Sequence, residues 1–301
     1  MYKTIVFVDG SKTSIKLINL LYKVNKFRII RIIVSPNIDN KILRYLKKKF
    51  FKKIEVSDLK SKKTIKKLTN LKCDIIFSYY DYLIPEEILK KIKIGGINFH
   101  PSYLPFNKGR HSTFWAIMNG TPFGASSHWI DSKFDNGDIF FREKIKFQKF
   151  ENAKQIYVSQ IFLLEKIMKK TINSIRKNNF RRKKQNKRIK DYHYAKDIDE
   201  VITKKYFDKL SNIEFINLLR ATCFGPNTGI KVLYKKKFYL INSKYKVRKY
   251  KVRKSSLNRK YYIKLNDIFK DIKVDKNYIN NIRYKNYLFR IKSSIKLLNT
   301  N

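Results

Sequence analysis

Residues 4–34 read TIVFVDGSKTSIKLINLLYKVNKFRIIRIIV, in which two apolar runs flank a segment with helical periodicity. The first run, Thr4 to Val8, ends at Gly10, and the second extends from Arg28 to Val34. A strand, a glycine turn, a helix and a second strand form a βαβ unit, and runs that are apolar on both faces are typical of a parallel sheet covered by helices. The sequence therefore predicts an α/β fold with a Rossmann-like, mostly parallel sheet and helices on both faces.

Later apolar runs extend this pattern. Cys73 to Ser78, Ile97 to Phe99 and Gly124 to Ile130 are predicted strands. Asn152 to Lys177 has apolar residues spaced by three or four and is predicted to be a long amphipathic helix that packs on the sheet.

The chain of 301 residues is long enough for about two domains. We expect a catalytic domain over residues 1–195 and a small basic α+β domain over residues 196–301. In the second domain we predict a helix from Asn212 to Ala221 and a hairpin that pairs Ile230 to Tyr234 with Phe238 to Ile241. The tail beyond Lys244 reads as short strands followed by a final helix.

The formal net charge of +47 has two explanations that the sequence leaves open. Clustered Lys and Arg bind nucleic acids, and residues 166–190 hold twelve basic residues and no acidic one. The excess is nevertheless spread over both halves, in a chain poor in Ala and rich in Lys, Asn and Ile, as an AT-rich coding sequence would produce. Residues 166–190 are accordingly either an anion-binding element or a solvated helix end.

The remaining composition indicates the compartment. Cys73 and Cys223 lie far apart without metal-ligand spacing, which predicts reducing surroundings and no metal site. The first apolar run is too short for a signal sequence, and no run of about 20 apolar residues follows. We expect a cytoplasmic protein without a membrane partner.

Residues 95–139 read GGINFHPSYLPFNKGRHSTFWAIMNGTPFGASSHWIDSKFDNGDI and hold six of the nine glycines and three of the four histidines. Residues with special backbone geometry or proton chemistry are concentrated here, so we place the functional site here. Asn98 and His100 stand at i and i+2 at the end of a predicted strand, and alternation directs both side chains to one face. The following loop brings Asp135 to the same sheet edge if the strands are neighbours.

These three groups suit acyl transfer. A carboxamide and an imidazole can donate hydrogen bonds to an oxygen that becomes negative, and a carboxylate can accept a proton from an attacking amine. Ser102 lacks the glycine frame of a nucleophile elbow, which favours direct transfer over a covalent intermediate. The alternative is that Asn98 and His100 only satisfy backbone groups at a strand end.

The motif INFHPSYLPFNKGR, followed about thirty residues later by FDNGDI, closely resembles the 10-formyltetrahydrofolate-dependent formyltransferases. The resemblance covers residues 1–150 well, residues 150–240 loosely and the last sixty residues hardly at all. It implies a formyltransferase fold and a catalytic trio of Asn98, His100 and Asp135. The first two would hold the oxyanion, and Asp135 would assist proton transfer. The co-substrate would be 10-formyltetrahydrofolate, with no metal.

The resemblance also implies positions for the two substrates. The pterin would lie between two loops, with candidate residues Tyr80, Tyr82, Leu83, Ile84, Pro85, Asp131, Gly137 and Asp138. The candidate acceptor-binding residues are Gly10, Ser11, Ser102, Lys108, Arg110 and His111. Gly10-Ser11 could hold an anion at a helix start or form a plain tight turn, and Lys108 and Arg110 could meet a phosphate of the acceptor or be solvated. His128 is expected to be a buried strand residue.

Three functions compete. Phe114-Trp115 and the stretch Tyr192 to Asp197 look more like enzymes that formylate amino sugars on nucleotide carriers, which is the leading hypothesis. The basic linker and tail would suit initiator methionyl-tRNA as the acceptor. A third reading is a basic nucleic-acid-binding protein on a decayed enzyme scaffold. The candidate partners are thus a nucleotide-linked amino sugar, a tRNA and a second copy of the chain in a homodimer.

Overall fold

The structure is a computed structural model. It describes residues 1–146, 151–204, 210–223, 229–234, 237–249, 277–284 and 287–297. The helices are α1 Lys12–Tyr22, α2 Asn40–Lys49, α3 Lys62–Thr69, α4 Glu86–Leu89, α5 Ser112–Asn119, α6 Ala153–Arg176, α7 Asp197–Ile202 and α8 Asn212–Ala221. In these described ranges, no helix is long and apolar enough to cross a membrane.

A seven-stranded sheet dominates the first half of the chain. Its strands are β1 Tyr2–Val8, β2 Phe27–Val34, β3 Ile54–Val56, β4 Ile75–Tyr79, β5 Gly95–His100, β7 Gly124–Trp129 and β8 Ile139–Lys144. In the order β3-β2-β1-β4-β5-β7-β8, the first five strands are parallel, and β7 and β8 are antiparallel to their neighbours. The prediction of a mostly parallel α/β sheet is confirmed.

Helices cover both faces of this sheet because successive residues of a buried strand point to opposite sides. Val6 and Val8 of β1 belong to a core that also contains residues of α1 and α6. Ile5 and Phe7 belong to a second core with Leu68 of α3 and Ile88 of α4. A strand that is buried on both faces needs apolar residues at every position, which is why Thr4 to Val8 reads as a continuous run.

The described part of the C-terminal region forms a five-stranded sheet. It consists of β10 Thr203–Lys204, β11 Ile230–Tyr234, β12 Lys237–Lys249, β13 Asn277–Tyr284 and β14 Tyr287–Leu297, in the order β10-β11-β12-β14-β13. The predicted hairpin is present, since β11 pairs antiparallel with β12 and Leu233 lies opposite Phe238. Two short strands of the chain, β6 Lys108–Gly109 and β9 Tyr192–His193, lie outside both larger sheets.

The predicted final helix is wrong for the described residues of the tail, which end in the strand β14. Its sequence YLFRIKSSIKL has mostly apolar residues at alternate positions from Tyr287 to Leu297. This period of two belongs to a strand and not to a helix, whose apolar residues recur every three or four positions. Residues 250–276 lie outside the described part of the chain.

The chain divides into two compact units that are interleaved in sequence. The first consists of Met1–Gly109, Pro122–Ile145 and Val158–Tyr192, and the second of Arg110–Thr121, Lys146–Tyr157 and His193–Asn301. The sequence-based domains, residues 1–195 and 196–301, stay a prediction. Asn98, His100 and Asp135 all belong to the first unit.

Candidate active site

The end of β5 carries the first two candidate residues. Pairing with β7 places Asn98 opposite His128 and His100 opposite Ser126. Asn98 and His100 project from the same face of β5, as their spacing of two requires, and both approach the carboxylate of Asp135. The structure therefore brings together the three groups that the sequence singled out.

The distances define a small polar cluster. Asn98 Nδ2 donates to Asp135 Oδ1 at 3.3 Å, and His100 Nδ1 lies 3.7 Å from Asp135 Oδ2. His100 Nε2 is 3.2 Å from the carbonyl oxygen of Asn107, which can only accept, so Nε2 carries a proton. Nδ1 is therefore the nitrogen of His100 that faces the carboxylate.

His128 is a fourth member of the cluster that sequence reasoning missed. It was correctly expected to be buried on a strand, and it is 2% exposed. Its Nδ1 donates to the carbonyl of Trp129 at 2.8 Å, while Nε2 lies 3.2 Å from Asp135 Oδ1 and 3.2 Å from Asn98 Nδ2. The available signal was its position seven residues before Asp135, near the end of the neighbouring strand.

The Asp135 carboxylate is buried beside several polar groups. Burial by itself would raise its pKa, but the charge of His100, the hydrogen bond and charge of His128 and the backbone N–H of Gly109 together hold the pKa well below its usual range. The Gly109 N–H donates to Oδ2 at 2.8 Å. Asp135 is consequently an ionised carboxylate throughout the neutral pH range.

The loop that carries Asp135 has an unusual backbone conformation. Asp135 has a φ of 51°, in the left-handed region that non-glycine residues seldom occupy. Two residues further on, a Cβ atom at Gly137 would lie 1.9 Å from the carbonyl oxygen of Trp129. The sequence FDNGD fits this loop because only glycine permits so close an approach. Gly137 is thus a structural requirement of the loop, and its predicted contact with the pterin stays a prediction.

Asp131 and Asp138 frame the same loop. Asp131 accepts hydrogen bonds from the Lys133 backbone N–H at 3.0 Å and from Asn136 Nδ2 at 3.1 Å. The carboxylate of Asp138 lies 3.8 Å from the guanidinium of Arg182. Both side chains therefore have partners within the chain, and their assignment to the pterin site remains untested.

The turn after His100 is fixed by side chains from distant elements. Ser126 Oγ donates to the Ser102 carbonyl at 2.7 Å and accepts from the Leu104 N–H at 3.1 Å. Gln160 Nε2 donates to the carbonyls of Pro101 and Gly124 at 2.6 and 3.1 Å. The Ser102 hydroxyl itself is buried and has no hydrogen-bond partner among the described residues.

The predicted pterin loop follows β4. Tyr82 accepts a hydrogen bond from Asn37 Nδ2 at 2.9 Å, and the Tyr80 and Tyr82 rings lie 5.4 Å apart. The Tyr80 hydroxyl is buried without a hydrogen-bond partner in the described ranges, and burial raises the pKa of this phenol. Ile84 is part of the core, Pro85 caps α4, and Leu83 is exposed. Because the Ile84 side chain is buried in the core, only the backbone groups of this residue are available to a ligand.

The candidate acceptor residues occupy different surroundings. Gly10 has a φ of 88°, and the Ser11 side chain accepts a hydrogen bond from the Ser14 N–H, which is the geometry of a capped helix start. Lys108 is only 7% exposed, and its Nζ donates to Asn136 Oδ1 at 3.2 Å. Burial lowers the pKa of Lys108, although Asp135, Asp131 and Asp191 oppose this effect. Lys108 is thus directed inward and is not the solvated loop residue that was one of its two expected roles.

Arg110 and His111 belong to the second unit. The Arg110 side chain is exposed, and its backbone N–H donates to the His193 carbonyl at 2.9 Å. His111 begins α5 with a φ of 57°, and burial together with the charge of Arg110 lowers its pKa. Their contacts with an acceptor stay a prediction.

The mostly parallel sheet carries an amide, an imidazole and a carboxylate close together at the end of β5, which is a set of groups that can stabilise an oxyanion and accept a proton. Residues 31–172 match the family described as formyl transferase. This match over 142 of the 301 residues agrees with the resemblance found in the sequence.

Individual relatives agree with this assignment. The chain is 40% identical over 88 residues to GDP-perosamine N-formyltransferase of Brucella melitensis, covering 29% of this chain and 34% of that protein. It is 29% identical over 172 residues to methionyl-tRNA formyltransferase of Alkaliphilus oremlandii, covering 56% and 54%. The chain thus spans about a third to a half of the length of these relatives.

A solved structure supports the fold. The N-formyltransferase of Helicobacter canadensis, in complex with folinic acid and dTDP-3-aminofucose, superposes with a TM-score of 0.65 at 21% identity. The superposition covers 98% of this chain and all of that one. Similarity at this level of identity establishes the shared fold.

Proposed function

We propose that this protein transfers the formyl group of 10-formyltetrahydrofolate to a primary amine of a nucleotide-linked amino sugar. The observation that carries the proposal is the convergence of Asn98, His100 and Asp135 within the stretch that matches the formyl transferase family, with Asp135 at 3.3 Å from Asn98 and 3.7 Å from His100. The reduced pterin is proposed to lie between the loop Tyr80 to Pro85 and the loop Asp131 to Asp138.

The cluster supplies what direct formyl transfer needs. The amine nitrogen attacks the formyl carbon, a new C–N bond forms, and the carbonyl oxygen becomes an oxyanion. One N–H of Asn98 and Nδ1 of His100, when its ring carries both protons, donate to this oxygen, while Asp135 accepts a proton from the attacking nitrogen. The C=O bond then re-forms, the bond to N10 of the folate breaks, and N10 takes up a proton to give tetrahydrofolate.

Two features favour an amino sugar as the acceptor. The relative from Brucella acts on GDP-perosamine according to its name, and the Helicobacter structure contains dTDP-3-aminofucose. Within the second unit, Trp115 stacks on His193 with ring centroids 4.0 Å apart and planes 6° from parallel. This contact joins the two sequence segments that resemble sugar formyltransferases.

The proposal is tested by incubating the protein with 10-formyltetrahydrofolate and separate acceptors. The acceptors are dTDP-, GDP- and UDP-linked amino sugars and initiator methionyl-tRNA, and the readouts are release of tetrahydrofolate and the mass of the acceptor. We expect at least one amino sugar to be formylated at a rate that depends weakly on salt. Formylation of the charged tRNA alone, with a rate that falls steeply with salt, would identify the tRNA as the acceptor instead of an amino sugar. No transfer to any acceptor would reject the proposed function.

His128 provides a second test. The His128→Asn variant keeps a donor near the Trp129 carbonyl but loses the Nε2 contact with Asp135, whereas the longer side chain of His128→Gln can still place a donor near Asp135. A hydrogen bond to a charged group contributes roughly 1.5–3 kcal/mol. We therefore expect kcat/KM of His128→Asn to fall about 10- to 100-fold, with a smaller loss for His128→Gln.

The pH profile distinguishes this role from simple packing. His128 helps to hold the pKa of Asp135 low. Its removal raises that pKa, so the acid limb of kcat/KM moves to higher pH in His128→Asn. The exposed residue Lys93 precedes β5 and belongs to neither proposed substrate loop, so the control Lys93→Gln should retain the normal profile. An unchanged acid limb in His128→Asn would show that His128 does not act on Asp135.

A further inference from the structure

The basic segment Arg181–Lys190 contains one residue that behaves unlike the rest. Its Lys and Arg side chains are exposed, whereas Gln185 is only 9% exposed. The segment lies along the loop that carries Asp135, because the Lys183 N–H donates to the Ile139 carbonyl at 3.0 Å and the Ile139 N–H donates back at 2.8 Å. These backbone hydrogen bonds hold the segment beside the loop, and the Gln185 side chain is buried between them.

Gln185 uses its amide nitrogen to hold the backbone on both sides of Asn136. Nε2 donates to the carbonyl of Asp135 at 2.8 Å and to the carbonyl of Gly137 at 2.7 Å. Both amide protons are therefore used within one loop. Oε1 of Gln185 is buried and has no hydrogen-bond partner among the described residues.

This contact is made to the residue of the loop whose backbone lies in the left-handed region. Asp135 has a φ of 51°, and the left-handed region is unfavourable for a residue with a Cβ atom unless its surroundings hold it. The same backbone conformation directs Oδ2 of Asp135 toward the Gly109 N–H, 2.8 Å away, and Oδ1 toward Asn98 and His128. Loss of the two hydrogen bonds would release this conformation.

We propose that Gln185 is a positioning residue, which holds the Asp135 carboxylate in register with Asn98 and His100 by fixing the carbonyls of Asp135 and Gly137. The proposal rests on the proposed function for its effect on activity. It gives Gln185 no contact with either substrate. The distinguishing expectation is a loss in kcat with little change in the KM for the acceptor, since the candidate acceptor-binding residues lie outside this loop.

The test compares Gln185→Met, Gln185→Glu and the exposed-neighbour control Lys184→Met. Methionine keeps the length of the side chain without its donors, and we expect kcat to fall about 30-fold while KM for the acceptor changes less than threefold. Glutamate directs a carboxylate oxygen at two carbonyls and should lower kcat further at neutral pH. Its protonation restores one donor, so its kcat relative to the unaltered protein should rise as the pH falls, and Gln185→Met should show no such recovery.

Amide hydrogen exchange at Gly109 gives a readout that needs no activity. This N–H is protected by Asp135 Oδ2, so displacement of the carboxylate should accelerate its exchange in Gln185→Met and not in Lys184→Met. Unchanged kcat together with unchanged Gly109 exchange would overturn the proposal. Faster exchange in a protein that formylates no acceptor would uphold the positioning role and reject the proposed function separately.

Discussion

Replacing Asp135 with asparagine is expected to lower kcat about 10³-fold, within the usual range for a positioned proton-transfer group. The carboxylate accepts three hydrogen bonds, from Gly109 N, Asn98 Nδ2 and His128 Nε2. An asparagine of the same shape has one acceptor oxygen, so one of its two positions must present an NH₂ group to a donor. The variant also lacks the negative charge that would take the proton from the attacking amine.

The measurement is kcat with the best acceptor from the panel, together with the Kd for the folate. Binding of the folate should change much less than kcat, because the change affects the proton-transfer group. Glu87→Gln, at an exposed position in the first turn of α4, removes one carboxylate outside the trio and should leave kcat within twofold. Retention of kcat within tenfold by Asp135→Asn would contradict the role given to this carboxylate.

Substitution of Gly137 by alanine is expected to have the largest effect on folding of any change in the site. The added Cβ would lie 1.9 Å from the Trp129 carbonyl oxygen and 2.8 Å from its carbon. Both atoms are backbone of the sheet, so no side-chain rotation relieves the overlap. We expect the free energy of unfolding to fall by about 3 kcal/mol, at the upper end for overpacking. A loop displaced by about 1 Å should also lose at least 100-fold in kcat/KM.

Chemical denaturation and steady-state kinetics measure the two effects. Gly120 offers a matched control, since its Cβ would meet nothing within 4 Å and its φ of 65° is one that asparagine tolerates. Gly120→Asn should therefore change the free energy of unfolding by less than about 1 kcal/mol. A Gly137→Ala protein as stable and as active as the unaltered one would show that the loop moves freely, and the account of Asp135 as a held group would fail.

These expectations share one physical basis. The trio depends on residues outside it that hold the backbone of its turn and loop. Ser126 and Gln160 hold the turn after His100, and Gln185 holds the loop of Asp135. Placement within a fraction of an ångström requires such support, since a hydrogen bond weakens steeply with distance and angle.

Much of the fold could be predicted because its information is local. The run Thr4 to Val8 is apolar at every position, and this pattern fixes a strand buried on both faces without knowledge of its neighbours. The tail is where the prediction from local sequence failed. Tyr287 to Leu297 alternates with period two, and counting that period would have predicted the strand that replaced the expected helix.

Within the site, the sequence indicated the three groups but not their partners. Alternation placed Asn98 and His100 on one face, and the motif indicated Asp135. No local pattern marks Gln185, which is fifty residues from the carbonyl that it holds, or shows that Lys108 turns inward to Asn136.

The sequence by itself determined the long apolar strands and the helices between them, the α/β class and the stretch that carries the chemistry, because periodicity, glycine and the residue types of a motif act within short windows. Only the tertiary structure decided that His128 and Gln185 join Asp135, and that its carboxylate is buried and ionised. Those properties arise from the register of β5 against β7 and from the path of Arg181–Lys190 along the loop. Contacts between residues thirty and fifty positions apart set both, and the periodicity of a short stretch does not reveal them.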